Sequence, residues 1–507
     1  MPTDVTQSDK TVLVQIDKLV HGGKGLAHEG AMAIFVEGVL PGESVRIQLA
    51  RVKKGYAEGR LRDVVTPSPD RTTAPCPVYG QCGGCQLQHA SAAAQLAMKR
   101  SILAETLARL GGLTEVDVPP LVASPEVYGY RTRARLAVVV PKGKRASLAY
   151  HEEGSHRLVP IAACPVLAPR LNEAVAHLNL ALAGSGMMAA RIQEVRLGYA
   201  VATGDLVIQY EAEHCTRRQA EGWFEWVRTG LAGLKGQVMI AGRGLQQRRW
   251  VDGETALTEQ VAGLRLRCSD RSFVQANWRL NETLVGTVAG WALAGQERAP
   301  LRVLELYAGI GNFGLSLARG GALVTLVEAN PAALADARYN ARVNHVGRCR
   351  FRQGPAETIL DSSTPDEYDL VLMDPPRTGL SKEALTGLLR LKPLRLVYLS
   401  CDPPTLARDL RALREAGYRV ARLQGFDMFP QTMHIETLVE LTLAAQDALR
   451  QLAFHAKRED SDSCSEDDSA RDSRAPSFCI HASIMSALNR HCPPTLYAGS
   501  LWSFTSR

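Results

Sequence analysis

The sequence predicts a three-part α/β protein: a small N-terminal β-barrel, a central α+β segment rich in strands, and a C-terminal doubly wound sheet. Two patterns carry this reading. Several short alternating segments crowd into residues 11–64. From about Ser272 to Leu443, apolar runs suited to buried strands alternate with amphipathic runs suited to helices, the signature of a mostly parallel sheet. Length agrees, because 507 residues at roughly 100–200 per domain make about three.

Composition narrows the class. Lys and Arg number 59 against 52 Asp and Glu, giving a formal charge of +7, and hydrophobic residues make up 46%. That is a globular mix which permits a nucleic-acid partner without requiring one. No apolar run of about 18 residues suggests a membrane helix. The opening MPTDVTQSDK lacks the basic-then-apolar shape of a secretory signal, so a cytoplasmic chain without membrane contact is expected. In that compartment the eleven cysteines are read as thiols rather than disulfides.

TVLVQIDKLV, AMAIFVEGV, ESVRIQLARVKK and AEGRLRDVV read as strands, with HGGKGLAHEG and LPGES as turns. They suggest an oligonucleotide-binding type of barrel over residues 1–66. Lys24, Arg51, Lys53, Lys54, Arg60 and Arg62 suit a phosphate-tracking groove or, equally, a solvated basic face. A central part, 67–270, contains clustered cysteines, a helix from about Ser91 to Leu110 and a strand-rich stretch from about Tyr130 to Arg267. Arg131, Arg133 and Arg135 alternate and would share one strand face, toward RNA phosphate or toward solvent. Residues 271–445 form the α/β domain, with RVLELY, LVTLVEA, YDLVLMDPP and RLVYLSCDPP as strands. Residues 446–507, Ser/Asp-rich at first and without period after, are expected to be disordered.

Chemistry gathers at the strand ends. Glu305-Leu-Tyr-Ala-Gly309-Ile-Gly311-Asn312-Phe-Gly314 follows a strand and opens a helix. Formally it contains G-x-G-x-x-G, which would suit a dinucleotide. Glu305, at the strand end, would repel a pyrophosphate but not the sulfonium and amino groups of S-adenosylmethionine (SAM). Glu328 ends the next strand, where ribose hydroxyls are met. SAM is therefore expected, with a nicotinamide cofactor as the alternative. Asp374-Pro375-Pro376-Arg377 ends the fourth strand, where such sheets meet their ligands, although a capped proline turn would look the same.

Cys401 ends the fifth strand beside a helix start that would lower its pKa, the position of a nucleophile. Glu436 is the candidate general base. A thiol, a methyl donor and a carboxylate form a closed set for methylating uracil C5. Thiolate addition at C6 makes C5 nucleophilic, and after methylation a base removes the C5 proton so the thiol can leave. Cys76, Cys82, Cys85 and, far downstream, Cys164-Pro165 supply four thiolates. One C-x2-C pair with a distant ligand before proline suits a [4Fe–4S] cluster better than zinc. The other cysteines, among them Cys215, Cys268 and Cys349, read as core or incidental thiols.

GGKGLA, APCPVYGQCGGCQLQH, Phe273-Val-Gln275-Ala-Asn277, ELYAGIGNF, DPPRTG, SCDPPTLARDL and FDMFPQTMHIE together make the chain resemble the RNA 5-methyluridine methyltransferases, in particular the iron–sulfur branch acting on 23S rRNA. The resemblance spans residues from about 10 to 445. It implies a TRAM barrel, a class I SAM-dependent methyltransferase domain, Cys401 as nucleophile and Glu436 as base. It also implies that Gln275, Tyr307, Asn312, Glu328 and Asp374 contact SAM or the active site. A further donor contact, commonly Asn or Asp, falls at Pro355 and is left to the backbone. A monomer acting on a flipped-out uridine of 23S rRNA is the expectation. A transfer-RNA methyltransferase and an RNA-binding assembly factor are the rivals.

Overall fold

The computed structural model describes residues 10–143, 145–294 and 300–443. The 446–507 extension, and the expectation of disorder there, lie outside the described residues.

Strands β1 (Thr11–Leu19), β2 (Gly25–Glu29), β3 (Met32–Val36), β4 (Ser44–Lys53) and β5 (Tyr56–Thr66) close into a barrel in the order β1-β2-β3-β5-β4. Period-two alternation sends Val12, Val14 and Ile16 inward against Ile34, Val36, Ile47 and Ala57. The six basic residues do not form one free groove: Lys24 pairs with Glu37 at 3.0 Å and Lys53 lies over the Tyr56 ring. The β1–β2 turn reaches out of the barrel. Gly23, at φ +87°, is so close to the loop before β21 that a Cβ there would stand 2.5 Å from Met433 Cγ.

Helix α1 (Ala92–Gly111) follows, with the Ser91 hydroxyl accepting from the Ala94 amide and Gly112 in the left-handed C-cap. The central sheet runs β12-β11-β10-β9-β6-β7-β8. Its strands are β6 (Arg133–Val139), β7 (Ser147–His151), β8 (Leu158–Pro160), β9 (Ile192–Tyr199), β10 (Leu206–Ala212), β11 (Leu234–Ala241) and β12 (Arg248–Gly253). Helices α2 (Pro169–Gly184), the short α3 (Gly186–Ala189) and α4 (Arg217–Gly230) interrupt the strand-rich stretch, where the sequence reading placed no helices. For α4 the signal was present: a Thr216/Gln219 capping box, then buried Ala220, Trp223, Phe224 and Val227 at helical spacing. Those side chains and Leu171, Val175 and Leu178 of α2 share a core with the central sheet.

A hairpin of β13 (Leu257–Val261) and β14 (Leu264–Cys268) leads to α5 (Trp278–Leu293) and the C-terminal sheet. There β15 (Arg302–Leu306), α6 (Gly314–Arg319), β16 (Leu323–Glu328), α7 (Pro331–Val343), β17 (Cys349–Gln353), α8 (Ala356–Ser362) and β18 (Leu370–Met373) alternate. They are followed by α9 (Lys382–Leu391), β19 (Arg395–Ser400), α10 (Pro403–Glu415), β20 (Tyr418–Phe426) and β21 (Glu436–Leu443). The sheet order is β17-β16-β15-β18-β19-β21-β20, parallel except that β21 runs antiparallel to both its neighbours. Residues 67–270 contribute to more than one core: Leu103 and Leu107 of α1 pack with Leu406 and Leu410 of α10, and Leu257, Leu264 and Leu266 pack with Val303 and Leu326. Among the described residues, no helix is long and apolar enough to cross a membrane.

Candidate active site

Strand order reverses between β15 and β18, so a crevice opens beyond the carboxyl ends of β15, β16, β18 and β19. Tyr307, Glu328, Asp374 and Cys401 sit at those ends. They line a cleft of about 930 Å³ together with Gln275, Arg377, His434 and Glu436.

The antiparallel strand β21 brings the two catalytic candidates together. Ser400 of β19 pairs with Thr437 of β21, so the next positions outward, Cys401 and Glu436, face each other across the sheet edge. Burial and the Glu436 and Asp374 carboxyls push the Cys401 thiol up to about 12, with Arg377 opposing them. This corrects the sequence expectation of a thiol acidified by a helix start. The first turn of α10 is already capped by Asp402, whose carboxylate accepts from the Thr405 amide at 3.1 Å. Its negative charge also raises the thiol.

Glu436 is a buried carboxyl and Asp374 a half-buried one. Burial moves Asp374 up to about 7. Glu436 is raised well above the usual carboxylate range by burial and by Asp374, against the pull of Arg377. A carboxylate with a raised pKa is a stronger base near neutrality. Arg377 also donates to His434 Nε2 at 3.0 Å, and burial with that cation lowers the imidazole to about 4, keeping it neutral. Arg377 lay inside the quoted D-P-P-R motif and His434 beside Glu436, but nothing local in the sequence joined the two.

At the other end of the cleft, Glu328 shapes the glycine loop it faces: its carboxylate accepts from the Gly309 amide at 2.8 Å and from the Asn330 amide at 2.7 Å. Tyr307, at φ +60°, takes a left-handed turn that costs a side-chain-bearing residue about 1–2 kcal/mol. Two sequence candidates stand apart from the cleft lining. Asn312 exchanges hydrogen bonds with Asn281 of α5 at 2.9 and 3.0 Å, which fixes that helix against the loop. Glu305 is wholly buried beneath the loop, with one oxygen accepting from the Gly314 amide at 3.1 Å and the other without a partner. Burial raises it to about 8, so at neutral pH it is largely a neutral acid, not a charge facing a ligand. Pro355 precedes α8 without a side-chain cap, as a proline must.

The arginines form the third wall. Arg131, Arg133 and Arg135 all line the cleft, and Arg196 of β9 stands opposite Arg135. Part of their charge is already engaged. Arg135 and Arg196 pair with Glu194 at 2.5 and 2.8 Å, and Arg133 donates to the buried Cys268 sulfur at 2.8 Å.

Cys76, Cys82, Cys85 and Cys164 come together around a second cavity of about 40 Å³, with Tyr79, Tyr150 and Arg131 completing the wall. Burial raises the thiols of Cys82, Cys85 and Cys164, Cys85 to about 12. Among the described residues no set of three or more His, Cys, Asp or Glu is placed to hold a metal ion.

With this geometry the comparisons agree. The family model described as tRNA (Uracil-5-)-methyltransferase matches residues 91–444, and a TRAM domain model matches residues 6–61. The 23S rRNA (uracil(1939)-C(5))-methyltransferase RlmD of Edwardsiella ictaluri is 36% identical over 87% of this chain and 98% of its own length. The protein of the same name from Shewanella amazonensis is 34% identical over 86% and 96%. An uncharacterised RNA methyltransferase of Thermosynechococcus vestitus is 35% identical over 86% of this chain and 99% of its own. Among solved structures, the tRNA (uracil-54, C5)-methyltransferase of Pyrococcus abyssi, in complex with S-adenosyl-L-homocysteine, shares the fold at a TM-score of 0.66. It is 24% identical and covers 85% of this chain and all of its own. The chain belongs to the tRNA (uracil-5-)-methyltransferase family and is a SAM-dependent RNA methyltransferase with an N-terminal TRAM domain.

Proposed function

We propose that this enzyme methylates C5 of a uridine in 23S rRNA through a covalent adduct on Cys401, with Glu436 removing the C5 proton. The observation that carries the reading is the β19–β21 register, which sets a half-buried thiol against a buried carboxyl at the edge of the donor-binding crevice. Cys401 gives its proton to water and its sulfur bonds to C6, and the C5=C6 electron pair moves to C5. Gln275, Tyr307 and the Glu328 carboxylate would hold SAM, whose methyl group would pass to C5 as its bond to sulfur breaks and S-adenosylhomocysteine leaves. Glu436 then accepts the C5 proton, the electrons of that bond restore C5=C6, and the C6–S bond breaks. Arg377 offsets the negative charge that Asp374, Glu436 and a thiolate would otherwise concentrate in one place. The arginines on β6 and β9 give the RNA backbone a cationic wall leading to this point.

The 23S assignment is supported by relatives at 34% and 36% identity that carry that name. For the four thiols we propose a [4Fe–4S] cluster held by Cys76, Cys82, Cys85 and Cys164. The four line one cavity together with Tyr79 and Tyr150, and four thiolates with a distant ligand before proline are the donor set such a cluster takes. Bound there, a cluster would cross-link segments far apart in the chain.

Labelled SAM offered with unmodified 23S rRNA and unmodified transfer RNA in parallel, followed by digestion to nucleosides, tests the substrate. Label in 5-methyluridine from 23S rRNA alone is expected. Label in transfer RNA alone would keep the chemistry and overturn the substrate. Iron analysis after anaerobic purification is expected to give about four iron atoms per chain, and stoichiometric zinc in their place would sink the cluster.

A further inference from the structure

The connection that delivers Glu436, residues 427–435 between β20 and β21, is buried almost throughout. Its middle residue, Gln431, has a φ of +71°, a conformation that side-chain-bearing residues rarely hold without outside support. That support comes from the segment bearing three of the four clustered thiols. The Gln431 carbonyl accepts from the amides of Gln86 and Leu87 at 3.0 and 2.9 Å, the two residues after Cys85. The Gln431 amide donates to Gln95 Oε1 at 2.9 Å, and Gln95 Nε2 donates back to Gln431 Oε1 at 3.0 Å. Lys99, fully buried on the same helix, donates to Asp427 at 2.5 Å and to the Phe429 carbonyl at 3.1 Å.

The other side of this brace is tied to the thiols. Gln88 accepts from the Cys76 amide at 3.2 Å, and the Tyr79 hydroxyl donates to the Gln86 carbonyl at 2.7 Å. An unbroken run of hydrogen bonds therefore leads from the cysteine-lined cavity through residues 86–99 to the loop that ends at Glu436. Tyr130, whose hydroxyl donates to Pro430, and Asn277, which donates to the Met428 carbonyl, hold the loop from elsewhere. Gln431 is the point where the thiol-bearing segment takes hold.

We propose that Gln431 and Gln95 are positioning residues for Glu436, and that the segment carrying Cys76, Cys82 and Cys85 is a brace through which the state of the four thiols reaches the base. The inference rests on the reading of Glu436 as the C5 base. Disturbing the brace slows proton removal from C5 and leaves donor binding alone, because the Tyr307–Glu328 end is held by its own local bonds. RNA should then accumulate as the methylated covalent adduct.

Two measurements test this. Gln95→Met removes the reciprocal amide pair at similar volume. The adduct fraction, read as RNA shifted with protein on a denaturing gel, is expected to rise about tenfold, while S-adenosylhomocysteine binds within about twofold of wild type. In parallel, amide exchange is followed in the anaerobically purified wild type and in the same protein treated with ferricyanide and EDTA. Exchange is expected to rise in 427–435 and to stay unchanged in 305–314. An unchanged 427–435, or a uniform rise across the chain, overturns the proposal, as does a Gln95→Met enzyme whose adduct level matches wild type. If Gln95→Met does not fold, the wild-type exchange comparison decides. Absence of adduct in Glu436→Gln would instead overturn the base assignment, and the exchange comparison would still read the brace.

Discussion

The cleft is served by two loops built in different ways. The glycine loop after β15 is held by residues near it in sequence: Gly314 by Glu305, nine residues away, Gly309 by Glu328, nineteen away, and Asn312 by Asn281 of α5, 31 away. The loop before β21 is held from the far end of the chain, with separations of 336 residues for Gln95–Gln431, 328 for Lys99–Asp427 and 300 for Tyr130–Pro430. The donor-binding end is thus a nearly self-contained unit. The Glu436 end is held by bonds that bring together the segment after the barrel, α1 and the C-terminal sheet.

The largest effect that sharpens this contrast is expected at the reacting atoms. Cys401→Ala should lower kcat/KM by at least about 10⁴-fold and leave S-adenosylhomocysteine affinity intact, as read by radiolabel transfer and calorimetry. Next comes the long-range loop. Lys99→Met strands the buried Asp427 carboxylate, and a loss of about 3–5 kcal/mol is expected from denaturant midpoints. A loss under about 1 kcal/mol would mean the pair contributes little. The local loop should behave differently: Glu328→Ala removes a charged acceptor from Gly309 and from the donor, raising KM for SAM about 10–100-fold with little change in kcat. Equal losses in kcat would break the distinction between the two ends.

The last expectation is a pH dependence. The folded pKa of Glu305, about 8, lies above the ordinary 4.5 of a free side chain, so the folded state binds its proton more tightly than the unfolded one. Stability from this group is fully present below about pH 4.5 and is lost as pH rises toward 8, at no more than about 1.4 kcal/mol per pH unit. Glu305→Gln keeps an acceptor for the Gly314 amide and cannot ionise. Its stability relative to wild type should rise across that range, and parallel profiles would show that Glu305 does not titrate there.

The same contrast explains what the sequence disclosed. The strand-end acids, the glycine turn and the alternation of strand and helix are local, and a linear reading finds them. Burial is not local. Glu305 sits at a strand end like Glu328, but one lies under the loop and the other in the cleft, and only the packing of Gly314 against Glu305 separates them. The same limit governs Cys401: a thiol before a helix reads as acidified until Asp402 is seen to fill the cap and two carboxyls to stand nearby. Its closeness to Glu436 required β21 to insert antiparallel between β19 and β20, an arrangement no spacing in the sequence announces. Helix α4 is the opposite case, since its capping box and helical apolar spacing were available within fourteen residues.

The glycine at position 23 turns the barrel into a gauge. A hairpin whose bare Gly23 lies against Met433, with His21 Nε2 3.7 Å from Asp402 Oδ1, holds the N-terminal module against close neighbours of Cys401 and Glu436. An RNA that spanned both surfaces would meet them at a fixed separation. Grafting a different RNA-binding barrel onto this enzyme would preserve that measure only if the graft brought a turn equally bare at its tip.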